Sequence, residues 1–221
     1  MGHATKYRYE AYHVLQRRNI PCVVWLEDAL GYYGMNTAVF RLYLIVPSID
    51  TAADALQLEG WTVDQPRPND VETFLSDMPT SSYRRLLPPD WEENPIQPWP
   101  PLPSAQQPPE GQPKLVFCSA DFWHVSSPDS YKSLYPPLEI LVDSLITVIL
   151  ESPDGTLLQN RLGVYMSALY SQVEGLKDPS FAGKLSPDNR HYHQDGVTGM
   201  PVTTIPVIKR QREFRDKLRE S

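Results

Sequence analysis

Cysteine is almost missing from this chain, with two in 221 residues. Cys22 and Cys118 both lie inside apolar runs, so a small disulfide-stapled extracellular scaffold is excluded. The expectation is two buried free thiols in a reducing, cytoplasmic setting. Long hydrophobic runs are missing too. None approaches the roughly 18–20 residues of a membrane span. Met1–Asn19 is polar and mixed in charge, unlike a signal peptide. Positive charge is not in excess: the net charge is −7, which argues against broad, non-specific nucleic-acid binding. A local basic patch remains open. At 41 % hydrophobic residues the composition is that of an ordinary globular protein, long enough for one domain with a sizeable core.

What is present is a clear plan in Ile20–Trp61. Cys22–Leu26 is a short apolar, β-branched run and reads as a buried strand. Glu27 and Asp28 follow, Ala29–Tyr33 reads as a short helix, and Gly34 closes it. Val39–Val46 reads as a second strand ended by Pro47. Asp50 or Thr51 can cap a helix over Ala52–Glu59, which Gly60 ends. Before this stretch, Tyr7, Ala11, Val14 and Leu15 recur at helical spacing in Lys6–Asn19, an amphipathic helix.

Proline is the opposite case, abundant (23) and clustered. Leu86–Pro113 cannot be a helix or a central strand at that density and should be extended and exposed. Its Pro-x-x-Pro spacing, as in Pro98 to Pro101, also suits a proline-recognising partner. Lys114–Ala120 reads as a third strand, followed by Asp121. Leu138–Glu151, opened by Pro136-Pro137, and Leu157–Val173 carry wide apolar faces and should form an antiparallel helical pair.

Two later stretches carry polar chemistry. Arg190, His191, His193 and Asp195 crowd together. They read as a helix start with hydrogen-bonded histidines, as a metal site if His-x-His is extended, or as an acid–base site. In the last reading His193 moves the proton and Arg190 or Asp195 orients it. Ile208–Ser221 is a basic helical tail, either solvated or placed to meet RNA phosphates or a partner.

The pattern of strand, short helix, Gly turn, strand and helix resembles the small, antitoxin-like nucleotidyltransferases. Ala29-Leu30, Gly34, Thr37, Leu44–Pro47 and Gly60-Trp61 carry the resemblance, over roughly the first third of the chain. It implies a small mixed sheet with flanking helices. The Asp-x-Asp that holds Mg²⁺ in that family aligns with Arg41 and Tyr43, and the phosphate-cradling Gly-Gly with Leu26 and Glu27. Metal-assisted transfer needs carboxylates and bare backbone N–H groups there, so ordinary nucleotidyl transfer is not expected.

Taken whole, the chain also resembles a group of fungal hypothetical proteins, through Pro21–Trp25 with Glu27–Leu30, Tyr135–Leu138, Arg190, His193-x-Asp195, Gly199-Met200 and Pro206. A looser similarity is to fungal arginine-containing cyclodipeptide synthases. That implies an enzyme of secondary metabolism that takes its cationic aminoacyl group from tRNA.

The expectation is therefore an α/β (α+β) single domain. Residues 1–65 and 114–221 form the core, helical pair and tail, and residues 66–113 a proline-rich surface excursion. In the enzyme reading Glu27, Asp28, Trp25 and Arg190 bind substrate, and His193, Asp195 and Glu27 are catalytic. Cys22 is a remote nucleophile candidate, and residues 208–221 hold aminoacyl-tRNA. No metal and no cofactor is called for. The alternative is a catalytically silent binding module on the same fold.

Overall fold

The computed structural model describes residues 8–65, 74–89, 91, 113–126, 131 and 133–220. The core is a five-stranded mixed sheet in the order β1-β2-β5-β4-β3. The strands are β1 (Val23–Trp25), β2 (Leu42–Val46), β3 (Thr62–Val63), β4 (Tyr83–Leu87) and β5 (Leu115–Ser119). Only β2 and β5 run parallel, in the register Leu42↔Leu115 to Val46↔Ser119. The other neighbours are antiparallel.

Both faces of the sheet are covered, which is why β2 and β5 are unbroken apolar runs rather than alternating ones. Val23, Trp25, Tyr43, Ile45, Val116 and Cys118 share one face. They pack against α4 (Leu138–Glu151) and α5 (Leu157–Gln172), the expected helical pair. Val24, Leu42, Leu44, Leu115 and Phe117 share the other face. They pack against α1 (Glu10–Arg17) and α3 (Ile49–Gln57). The period of two along each strand sends alternate residues to these two cores. The α+β expectation, a small mixed sheet with flanking helices and a helical pair, is met.

Local signals set most boundaries. Gly34 and Gly60 both stop helices at positive φ (95° and 85°), where a side chain would be strained. The N-cap of α3 is Ser48, whose Oγ accepts from Thr51 N, rather than the expected Asp50 or Thr51. Thr156 caps α5 in the same way. The short α2 (Glu27–Tyr32) begins two residues earlier than expected.

Strand β4 lies inside the range expected to be a surface excursion. Its Arg84-Arg85 hides the strand pattern. Arg85 forms an ion pair with Asp64 at 2.5 Å, both side chains nearly buried, and Leu86 is fully buried. The rest of the proline-rich stretch, apart from residues 86–89, 91 and 113, lies outside the described residues, as do Lys6 and Tyr7 of the expected first helix.

The two cysteines are buried and free, as expected. Burial pushes each thiol up to about 12. Cys22 is therefore a protonated core group, and the nucleophile role considered for it does not fit its surroundings. Among the described residues no helix is long and apolar enough to cross a membrane.

Candidate functional site

The first cluster forms where β1 ends, β2 begins and α2 starts. Strand β1 ends at Trp25, paired with Tyr43, so Glu27 and Asp28 open α2 beside the first residues of β2. Carboxylates in a first helical turn suit the helix dipole. Both are nearly buried, at 5 % and 6 % exposure, so each must be satisfied internally.

Asp28 is met by Arg8. Nε donates to Oδ1 at 2.6 Å and Nη2 to Oδ2 at 2.7 Å, a two-pronged guanidinium–carboxylate pair. The same Nη2 donates to the Arg41 carbonyl at 2.9 Å. Tyr9 Oη donates to Asp28 at 2.9 Å and lies 3.0 Å from Tyr135 Oη. Burial opposes the charge on Arg8, but the bond and charge of Asp28 outweigh it and its pKa rises.

Glu27 Oε2 accepts from Phe40 N at 2.7 Å and Arg41 N at 3.2 Å, which fastens α2 to the start of β2. Burial raises the Glu27 pKa above its usual range, and those two backbone bonds and Arg8 hold the rise back. Leu26, just before it, has φ 47° and ψ −120°. That is a glycine-like conformation, and an ordinary residue holds it at a cost of order 1–3 kcal/mol. Leu26 is one of the two positions at which the nucleotidyltransferase resemblance has glycines.

Arg41 and Tyr43 occupy the two positions at which the sequence resemblance expects metal-binding carboxylates. Tyr43 is 2 % exposed and stacked on Phe74 at 5.9 Å. Asp121, at the far end of β5, faces a separate cleft with His124 and Glu151. It is at the opposite end of the parallel β2/β5 pair from Arg41 and is remote from the α2 cluster.

Trp25 is fully buried and packs edge-on against Trp123 at 5.8 Å. It is a core residue with no surface to offer a substrate.

The second cluster is on α6 (Pro187–Val197) and α7 (Ile205–Glu220). The polar stretch is a helix, so His191 and His193 point to different sides and the extended His-x-His reading fails. His191 stacks on Phe214 at 4.1 Å and its Nδ1 lies 2.7 Å from Gln211 Oε1. His193 is buried between Tyr170 and Phe181, with Nδ1 3.3 Å from Tyr170 Oη, and burial lowers its pKa. Asp195 accepts from Arg210 and from Gln211 Nε2. Arg190 is exposed and its Nε donates to the Leu185 carbonyl. Neither Asp195 nor Arg190 orients His193. Among the described residues no group of three or more His, Cys, Asp or Glu could hold a metal ion.

The two clusters are not joined. The partners of Glu27 are Phe40 and Arg41, those of His193 are Tyr170 and Phe181, and the sets share no residue. α6 lies behind the helical pair, packing on α4, α5 and α7.

The basic tail is largely neutralised from within. Lys209 and Arg212 pair with Asp154, Arg210 with Asp195, and Arg219 with Asp188. Arg212 also donates to the Leu150 and Ser152 carbonyls at the end of α4. Two groups were missed by sequence reading. Arg8, at the chain's polar start, has no local pattern. Tyr135 is separated from Tyr9 by more than a hundred residues, so no spacing signals their contact.

No protein-family profile and no curated protein sequence matches this chain. Among solved structures it is similar to one from H. pylori provisionally described as a nucleotidyltransferase. The identity is 14 %, with 99 % of each chain covered and a TM-score of 0.40. A match at that level establishes neither a family nor a chemistry.

Proposed function

We propose that this chain is a binding module on a nucleotidyltransferase-like scaffold that does not carry out metal-dependent nucleotidyl transfer. The observation that carries the reading is that the chain's own groups already occupy its two buried carboxylates, Asp28 by Arg8 and Glu27 Oε2 by two backbone N–H groups. A cation, Arg41, further disfavours Mg²⁺ in the same place. Incubating the full chain with Mg²⁺ and each nucleoside triphosphate should release no pyrophosphate above a blank. Turnover that disappears in Glu27→Gln would overturn the reading.

One observation favours a second reading. Asp28 already binds a guanidinium, the group that a cationic aminoacyl substrate of an arginine-containing cyclodipeptide synthase-like enzyme would bring. In that reading Arg8 leaves and Asp28 and Glu27 receive the substrate; His193, packed between Tyr170 and Phe181 behind the helical pair, takes no part. The tRNA would have to be held by α7 despite its internal ion pairs. Expression in a clean host followed by mass spectrometry of the medium tests this. A new arginine-containing cyclic dipeptide, lost in Asp28→Asn, supports the enzyme; unchanged metabolites support the binding module.

A further inference from the structure

An exposed aromatic cleft of about 320 Å³ lies beside the Asp28 cluster, walled by Tyr32, Tyr33, Tyr131 and Tyr135 with Pro136 and Pro137. Tyr32 follows Asp28 by four residues on α2, one turn along the same side of the helix. Its ring stacks on Tyr135 at 4.4 Å with planes 19° apart, and it meets Tyr33 at 5.0 Å with planes 77° apart. Tyr32 is still 60 % exposed, so the ring face turned away from Tyr135 is free. The rings behind it are fixed. Tyr33 Oη donates to the Pro136 carbonyl at 2.5 Å, and Val24 N donates to the Leu134 carbonyl just before Tyr135. The cleft is separate from the Glu27–Asp28 pair of the proposed function, so a ligand in it neither requires nor excludes nucleotide turnover.

Such a wall attracts cations, because the face of an aromatic ring carries negative charge. Two features strengthen the pull. Asp28 accepts from Tyr9 Oη at 2.9 Å, which uses the only proton Tyr9 has. In the 3.0 Å contact between Tyr9 and Tyr135, Tyr135 is therefore the donor. Bonds in a chain polarise one another, so this relay to a carboxylate enriches the Tyr135 ring in electrons. The surrounding field has the same sign. Burial, then Tyr32 and Glu139, push the Tyr33 phenol up to about 12. Burial raises Tyr135 too, and the charge of Asp28 acts on it more strongly than that of Arg8.

The kind of cation follows from the wall. Among the described residues it carries no charged side chain. Its polar groups are already engaged: Tyr33 Oη with Pro136, Ser133 Oγ with Tyr135 N at 3.3 Å, and Tyr131 Oη with Ser126 Oγ at 3.0 Å. A primary ammonium or a guanidinium would leave N–H groups unpaired there, which is costly. A quaternary ammonium has none to pair and needs only ring faces. The volume suits a small molecule, at the low end of the roughly 300–1,000 Å³ usual for such sites.

We infer that this cleft is a quaternary-ammonium site and that its occupant is a small molecule whose trimethylammonium group rests against the rings of Tyr32, Tyr33 and Tyr135.

Titrating the full chain with choline, and separately with its neutral carbon analogue 3,3-dimethylbutan-1-ol, tests this by NMR. The two probes share a shape and differ in charge. Choline should bind saturably, shift the tyrosine ring signals and bind about fivefold more tightly than the alcohol, the scale of a cation–π contact. Tyr32→Ala should weaken choline binding about fivefold, whereas Tyr32→Phe, which keeps the ring, should change it little. Should Tyr32→Ala disturb the fold, the comparison of choline with the alcohol on the wild-type chain decides alone. A peptide bearing trimethyllysine should bind no more tightly than choline. A clear preference for that peptide would overturn the small-molecule occupant. No saturable choline binding, or equal affinity for choline and the alcohol, would overturn the site itself.

Discussion

The α2 cluster and the α6–α7 cluster both look like sites in the sequence, yet they are built on different physics. In the first, Glu27 and Asp28 are almost fully removed from water and each is matched by groups brought from elsewhere in the chain. In the second, Asp195, Arg210, His191 and Gln211 lace two neighbouring helices near the surface. A buried carboxylate that loses its partner has no water to turn to, whereas a half-exposed one does. The lesson is that a cluster of charged residues in sequence says little about energetics until burial is known.

The largest expected difference between the two regions comes from Arg8→Ala, which leaves Asp28 buried without its cation. A loss of about 3 kcal/mol is expected in urea unfolding. Arg8→Met with Asp28→Leu should recover most of it, because no charge is then left unpaired. A change below that of a surface pair would erase the contrast.

Next comes Gly196→Ala. A Cβ at Gly196 would overlap the Tyr170 ring, which packs between α5 and α6. The expected loss is about 2 kcal/mol, from forcing an aromatic ring out of place. The His193 ring, bonded to Tyr170, should shift in an NMR spectrum with it. In the second region Arg210→Ala should cost only about 0.5 kcal/mol, as exposed pairs do, since Arg210 is half exposed and Gln211 still donates to Asp195.

The smallest effect is a pH signature of opposite sign in the two regions. Burial raises the Glu27 pKa above 4.5, so its contribution to stability is full below that pH and is lost as pH rises through the raised folded value. Burial lowers the His193 pKa below 6.5, so its contribution is present above that pH and is lost as pH falls through the lowered folded value. Glu27→Gln should therefore gain on wild type as pH rises above 4.5, and His193→Gln should gain on it as pH falls below 6.5. Unfolding curves across that range decide both.

Much of the fold was legible because its signals are local. The apolar runs of β2 and β5, the 3.6-residue stripes of α4 and α5 and the glycines after α2 and α3 place those elements without any tertiary knowledge. Strand β4 was not legible, because Arg84 and Arg85 read as surface until Asp64 is seen beside Arg85. The candidate site was half legible. That Arg and Tyr, rather than carboxylates, stand at positions 41 and 43 can be read from the residues alone. That Asp28 is already occupied cannot, since Arg8, Tyr9 and Tyr135 are distant in sequence.

The sequence by itself determined the element types and that Arg41 and Tyr43, not carboxylates, stand beside the start of β2, since periodicity, capping and the charge of a side chain belong to the residues themselves. Only the tertiary structure decided that Trp25 is core, that His193 and Asp195 face apart, and that Glu27 and His193 have no partner in common. Those facts depend on helix phase and on which layers meet, and a polar group's role follows from the neighbours that burial leaves it.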